Sequence, residues 1–224
     1  MRARFLILFM YLLAAPQPAP AQTAPTTGRI PLSTELEGLA PGPRIAYLTY
    51  LLKTRSNDPE VYFQLGVAFQ DDEKVDSALY YYTKASEINP RMSKAYVNSG
   101  VLLDSQNKRG EALQMFERAA QLDPQDVLAH AHAAYMLLDM SDYENAWVHL
   151  SRALAIDSLN PQPHFYLAIF FWESGIFRES LDEWETVVRL APGSHLARKA
   201  EENINLIQQA MTGATGESIP MPKR

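Results

Sequence analysis

Residues 59–194 repeat with a strict period of 34 and no insertion, in units 59–92, 93–126, 127–160 and 161–194. The fourth place of each unit holds Tyr62, Tyr96, His130 and His164. The eighth holds Gly66, Gly100, Ala134 and Ala168, and the eleventh Phe69, Leu103, Leu137 and Phe171. The twentieth holds Ala78, Ala112, Ala146 and Ser180, the twenty-fourth Tyr82, Phe116, Leu150 and Trp184, and the twenty-seventh Ala85, Ala119, Ala153 and Val187. Pro90, Pro124, Ser158 and Pro192 close the pattern at the thirty-second place. A fixed period of this size is the mark of a chain built from one supersecondary unit stacked on itself.

Each unit contains two apolar runs of helical period separated by a turn. Small residues at the eighth, twentieth and twenty-seventh places let the two helices approach, and the large ones fill the space between them. Asp58-Pro59 and Asn160-Pro161 have the form of an N-cap followed by proline in the first helical position. Gly175 suits the left-handed residue between the helices of the fourth unit. Ser141 or Asp142 is placed to cap the second helix of the third. The prolines at place thirty-two stop second helices, because the residue before proline avoids helical angles.

A single helix pair cannot bury its apolar face, so the units must share a core and the array needs caps. Ile45, Leu48, Leu51 and Leu52 mark a helix at about 44–54 before the first unit. Leu196, Ala200, Ile204, Ile207 and Met211 mark another at 195–211, started by Ser194. Its stripe has the spacing of one buried helix face, with Arg198, Lys199, Glu201 and Glu202 on the wet side.

The pattern resembles the tetratricopeptide repeat family. The resemblance implies an all-α, right-handed superhelical solenoid of helix-turn-helix repeats over 44–211, with the helices near 44–54 and 195–211 as caps. It also implies a module that binds a protein or peptide segment and has no catalytic site. In this family the second, fifth, sixth, ninth, twelfth and thirteenth places of each first helix face a concave groove. Carried over, the groove centres on Asn98, Val101, Leu128, His132, Tyr135, Leu138, Asp139, Phe165, Tyr166, Ile169, Trp172 and Glu173. Trp172, Phe165, Tyr166 and Tyr135 then form an accessible aromatic centre, and Trp172→Ala should abolish binding at little cost in stability. Some members of the family clamp a C-terminal carboxylate with lysine, asparagine and arginine. Of those five places only Asn98 matches here, since Phe63, Val67, Leu128 and His132 hold the others. A groove of aromatic and aliphatic residues near Asp139 and Glu173 suits an amphipathic segment bearing basic residues. The alternatives are a glycan or polymer against the aromatic end, and a structural homo-oligomer.

The flanks differ in composition. Residues 1–21 join Arg2 and Arg4, an apolar run from Phe5 to Ala15, and Ala19-Pro20-Ala21. That order reads as a secretory signal peptide cleaved before Gln22, which gives an exported, periplasmic or secreted protein. The apolar run is too short to span a bilayer, which takes about 20 residues. Residues 22–43 read as a Pro-rich, extended linker with one short helical turn near Ser33–Leu39. From Gly213 the chain reads as a disordered tail over 212–224.

Composition removes several function classes. With no cysteine among 224 residues, a disulfide scaffold, a thiol nucleophile and a thiolate zinc site are excluded. A formal charge of −6 argues against a nucleic-acid binder. His130 and His132, two residues apart, point to different faces of a helix and converge on no metal. Asp71-Asp72-Glu73 lacks the spaced ligands of a calcium loop and reads as a solvated turn. No phosphate loop or nucleophile elbow is present. The expectation is therefore no cofactor and no metal. Trp147 and Trp184 read as core, and Trp172 as the functional tryptophan.

Overall fold

The computed structural model describes residues 32–211. The signal peptide expected at 1–21, the first part of the linker and the tail expected at 212–224 lie outside the described residues. Among the described residues every regular element is a helix, and none is long and apolar enough to cross a membrane. The chain divides into two compact units, whose described parts are 32–124 and 125–211.

The N-terminal unit runs α1 (Leu32–Glu35), α2 (Pro41–Leu52), α3 (Pro59–Asp71), α4 (Val75–Ile88), α5 (Ser93–Ser105) and α6 (Arg109–Leu122). Helices α3/α4 and α5/α6 form hairpins, α4 packs on α5, and α2 covers the free side of α3. The second half of the expected linker is not extended. Leu32 and Leu36 are buried with Leu48, Leu51, Val61, Leu65 and Ala68, so α1 closes the same core that α2 caps. The cap helix starts three residues earlier than the apolar pattern indicates. Pro41 and Pro43 fall in its first turn, where a missing N–H costs nothing and the fixed φ favours helix.

The C-terminal unit runs α7 (Val127–Asp139), α8 (Tyr143–Ile156), α9 (Pro161–Glu173), α10 (Phe177–Leu190) and α11 (His195–Met211). Hairpins α7/α8 and α9/α10 pack through α9, and α11 lies on α10. The cap α11 buries Ala197, Ala200, Asn203 and Ile207, while Leu196 and Ile204 are only half-buried. The buried stripe is thus rotated from the apolar one, with a polar residue in its middle. Ser194 caps the start, its Oγ accepting from the Ala197 N–H at 3.0 Å.

Four first helices end in the same way. Glu73, Asn107, Ser141 and Gly175, all at place fifteen, have φ between 57° and 73°. The N–H of the next residue donates to the carbonyl of place eleven, in Lys74–Phe69, Lys108–Leu103, Asp142–Leu137 and Ile176–Phe171, at 2.8–2.9 Å. The N–H of the left-handed residue itself donates to place twelve. This is the Schellman pattern, which satisfies carbonyls the helix end would otherwise leave open. Ser141 is therefore the turn residue of the third unit, and Asp142 is its cap, accepting from the Asn145 N–H. The expected caps Asp58 and Asn160 each accept from the N–H two residues on, at 3.0 Å.

The eighth place explains the helix spacing. A Cβ on Gly66 would lie 2.5 Å from the ring of Tyr82, and one on Gly100 would lie 2.7 Å from Phe116. In the first two units the aromatic of the second helix rests directly on the backbone of the first.

Candidate functional site

In the N-terminal unit, α3 and α5 carry a polar network. The Lys94 ammonium pairs with Glu60 at 2.7 Å and stands 4.3 Å above the Phe63 ring. Gln64 donates to the same Glu60 carboxylate at 2.9 Å. The fully buried ring of Tyr82 carries its hydroxyl between the two helices. It donates to the Gln70 carbonyl at 2.7 Å and accepts from the Asn98 amide at 3.1 Å. Burial pushes the Tyr82 phenol up to about 12, against the opposing pull of the Asn98 bond, so the proton needed for the Gln70 bond stays on the oxygen. Asn98 is half-buried, and its carbonyl and second N–H have no partner among the described residues. Val101, one turn on, is half-buried too. Asp71, expected in a solvated acidic turn, is tied to Arg44 of α2, and Asp72 pairs with Lys74 at 2.7 Å.

In the C-terminal unit the expected groove residues fall into two groups. Phe165, Tyr166, Ile169 and Leu138 are buried, and Trp172 is only 6% exposed. The ring of Trp172 packs edge-on to Phe177 at 5.2 Å and against Trp184 at 5.8 Å. The expectation of an accessible aromatic centre at Trp172 is corrected here. The eight consecutive apolar positions of α9, Phe165 to Trp172, cannot all lie on one face, and the helix is enclosed by α7, α8, α10 and α11. Leu128 is 42% exposed, and His132, Tyr135, Asp139 and Glu173 are half-buried.

Tyr135 stacks on Tyr166, ring centres 4.8 Å apart and nearly parallel. The Tyr166 hydroxyl accepts from Gln162 at 2.6 Å and meets His132 Nδ1 at 3.2 Å. The hydroxyl and the ring nitrogen share one hydrogen bond. Burial, opposed by Asp126, holds His132 down to about 4, so the ring is neutral around pH 7.

The two histidines at place four have a structural role that the repeat pattern did not reveal. His164 Nδ1 lies 2.6 Å from the Glu183 carboxylate and its Nε2 lies 2.9 Å from the Ser158 carbonyl. Both partners are acceptors, so both ring nitrogens donate and the ring is an imidazolium. Burial lowers its pKa, but the bonds to Glu183 and Ser158 outweigh that and the net shift is upward. Tyr62 and Tyr96, at the same place, also donate to the carbonyl six residues back, at Ser56 and Pro90. His130 instead faces His149, with Nδ1 atoms 3.1 Å apart. Among the described residues no three His, Asp or Glu side chains are grouped to hold a metal.

The His164 latch gives stability with a defined sign. Its folded pKa is raised, so its contribution is complete below about 6.5 and is lost as pH rises through the folded value. His132 is depressed and acts oppositely, costing stability as pH falls from about 6.5 toward 4. Glu183→Gln should therefore remove the decline in thermal midpoint expected as pH rises above about 6.5 and leave the acid-side decline in place. Melting curves between pH 4 and 9 check this, and an unchanged alkaline slope in Glu183→Gln counts against the latch.

The model of the tetratricopeptide repeat matches residues 59–92 and 93–126. No curated protein sequence matches the chain. Solved structures match its fold. MamA, in a crystal structure, aligns with a TM-score of 0.60 at 16% identity, over 73% of this chain and 95% of that one. TTC0263, a thermophilic repeat protein of Thermus thermophilus, aligns at 0.61 and 20% identity, over 77% and 96%. YrrB, described as a repeat protein with an unusual peptide-binding site, aligns at 0.57 and 19% identity, over 75% and 84%.

Proposed function

Because the chain carries tetratricopeptide repeats in an all-α helical repeat fold, we propose that it is a non-enzymatic protein-binding module that takes a partner segment along its first helices. The observation that carries this reading is Asn98. Its amide is fixed by Tyr82, which is fixed by Gln70, and it presents one acceptor and one donor outward. That pair matches the main-chain N–H and C=O of an extended or helical segment. Within the N-terminal unit the candidate contact residues are Asn98 and Val101; within the C-terminal unit, taken by itself, they are Leu128, His132, Tyr135, Asp139 and Glu173. The half-exposed part of Tyr135 supplies aromatic contact. A partner segment that is amphipathic and basic suits a chain of net charge −6. The buried residues Leu138, Phe165, Tyr166, Ile169 and Trp172 support this surface from beneath.

The order of residues 1–21 supports a working place outside the cytoplasm, as a scaffold of the cell envelope. Removal of that segment takes away Arg2 and Arg4 and leaves a more acidic chain.

A random twelve-residue peptide library selected on the full chain tests the binding reading. Enriched peptides should lose roughly tenfold or more in affinity against Asn98→Ala, since each lost hydrogen bond is worth about 0.5–1.5 kcal/mol. The thermal midpoint should move little, because Asn98 is half-buried and donates a single bond. Peptides that bind Asn98→Ala as well as the parent, or a library that yields no binder while a glycan array does, would overturn this reading.

A further inference from the structure

Helices α10 and α11 leave a cleft between them, lined by Glu185 and Val188 from α10 and by Glu201, Ile204 and Asn205 from α11. Val188 and Ile204 are half-buried and form an apolar floor, while Glu185, Glu201 and Asn205 are exposed at the rim. Neither Glu185 nor Glu201 has a partner among the described residues. Nearby cations are engaged elsewhere: Arg189 with the Thr186 hydroxyl at 3.0 Å and Arg198 with the Gly193 carbonyl at 2.9 Å. Residues 125–211 carry five Lys and Arg against twelve Asp and Glu. A second copy of this unit would bring like charge to the cleft, whereas an occupant with apolar residues followed by cations matches it.

The chain itself contains such a segment close by. Ile219-Pro220-Met221-Pro222-Lys223-Arg224 places two apolar side chains before two adjacent cations. Proline fixes φ in the free chain as well, so a Pro-rich segment loses less entropy on docking. Ile204 lies seven residues before the end of α11 at Met211, about 10 Å along a helix. Residues 212–218 can span up to ~23 Å when extended, so the connection has slack. A tether of that length raises the local concentration of the segment to about millimolar. We propose that residues 219–224 occupy the α10/α11 cleft, with Ile219 and Met221 on Val188 and Ile204, and Lys223 and Arg224 against Glu185 and Glu201. No residue that lines the cleft belongs to a first helix, so the partner-binding reading stands or falls independently.

The chain has no cysteine, so introduced pairs report proximity without background. Full-length Asn205→Cys/Met221→Cys in oxidised glutathione should close a disulfide within one chain. Closure should be roughly tenfold or more faster than in the control pair Glu144→Cys/Met221→Cys, as an ordered docked segment has a raised effective concentration. Adding Glu185→Lys and Glu201→Lys should return the rate to that of the control. Circular dichroism midpoints verify that each variant is folded. Equal rates for the two pairs, disulfide-linked dimers in place of closed monomers, or closure indifferent to the charge reversal would each overturn the proposal.

Discussion

Trp172→Ala is expected to lower the thermal midpoint of the chain by on the order of 10 °C, as a loss of about 3–5 kcal/mol would require. The indole is enclosed at 6% exposure and fills the space between Phe177 and Trp184. Its removal leaves a void that α9 and α10 cannot close, because both are held in a hairpin and α10 also carries α11. Loss of transfer energy and the residual cavity then add. Leu159→Ala is the comparison: that side chain is 72% exposed and its removal should leave the midpoint within experimental scatter. Thermal melts followed at 222 nm decide the matter. A Trp172→Ala chain that melts like the parent would return the indole to the accessible surface.

Gly66→Ala should destabilise the N-terminal unit, although alanine is the better helix former by about 1 kcal/mol. The new methyl would stand 2.5 Å from two ring carbons of Tyr82. That ring cannot yield cheaply. It is fully buried, and its hydroxyl is held by Gln70 and Asn98. Overpacking of this kind costs typically ~1–3 kcal/mol and sometimes more, so the clash outweighs the propensity gain. Gly110→Ala provides the opposite sign. It lies in the first turn of α6 with nothing near its Cβ, so only the propensity gain should remain. Urea denaturation of the two variants should give midpoints displaced in opposite directions from the parent. Two shifts of the same sign would refute the packing account of place eight.

Much of the fold was legible because the period is set by backbone and packing requirements that recur in every unit. Gly66 and Gly100 opposite Tyr82 and Phe116, the caps Asp58 and Asn160, and the turn at Gly175 all follow from local rules. The site was less legible because a position on a helix does not state how deep the neighbours bury it. Trp172, at a place read as groove-facing, meets Phe177 and Trp184, and nothing in its spacing announces that contact. Asn98 could be singled out by its place, but the relay from Gln70 through Tyr82 depends on three helices converging. Nor does the sequence show what the histidines at place four touch. Their partners, His149 and Glu183, sit nineteen residues on at a place the repeat pattern leaves variable. Leu32 and Leu36 were hidden in a Pro-rich stretch whose composition signals a linker, yet two leucines one turn apart suffice to seal the end of a small core.

The left-handed residue at place fifteen bears on how such a chain changes over time. Its bend is closed by main-chain groups, and four different residue types, Glu, Asn, Ser and Gly, occupy it. The geometry of the hairpin is therefore inherited through the backbone and not through any one side chain. Sequence can drift around it at a cost of about 1 kcal/mol or so for a residue with a Cβ in that conformation. A solved structure that shares only 16% identity yet superposes over most of its length has the same kind of fold without the same side chains. The side chains with the least room to change are then those that face a neighbour across a gap too narrow for anything larger, as at Gly66 and Gly100.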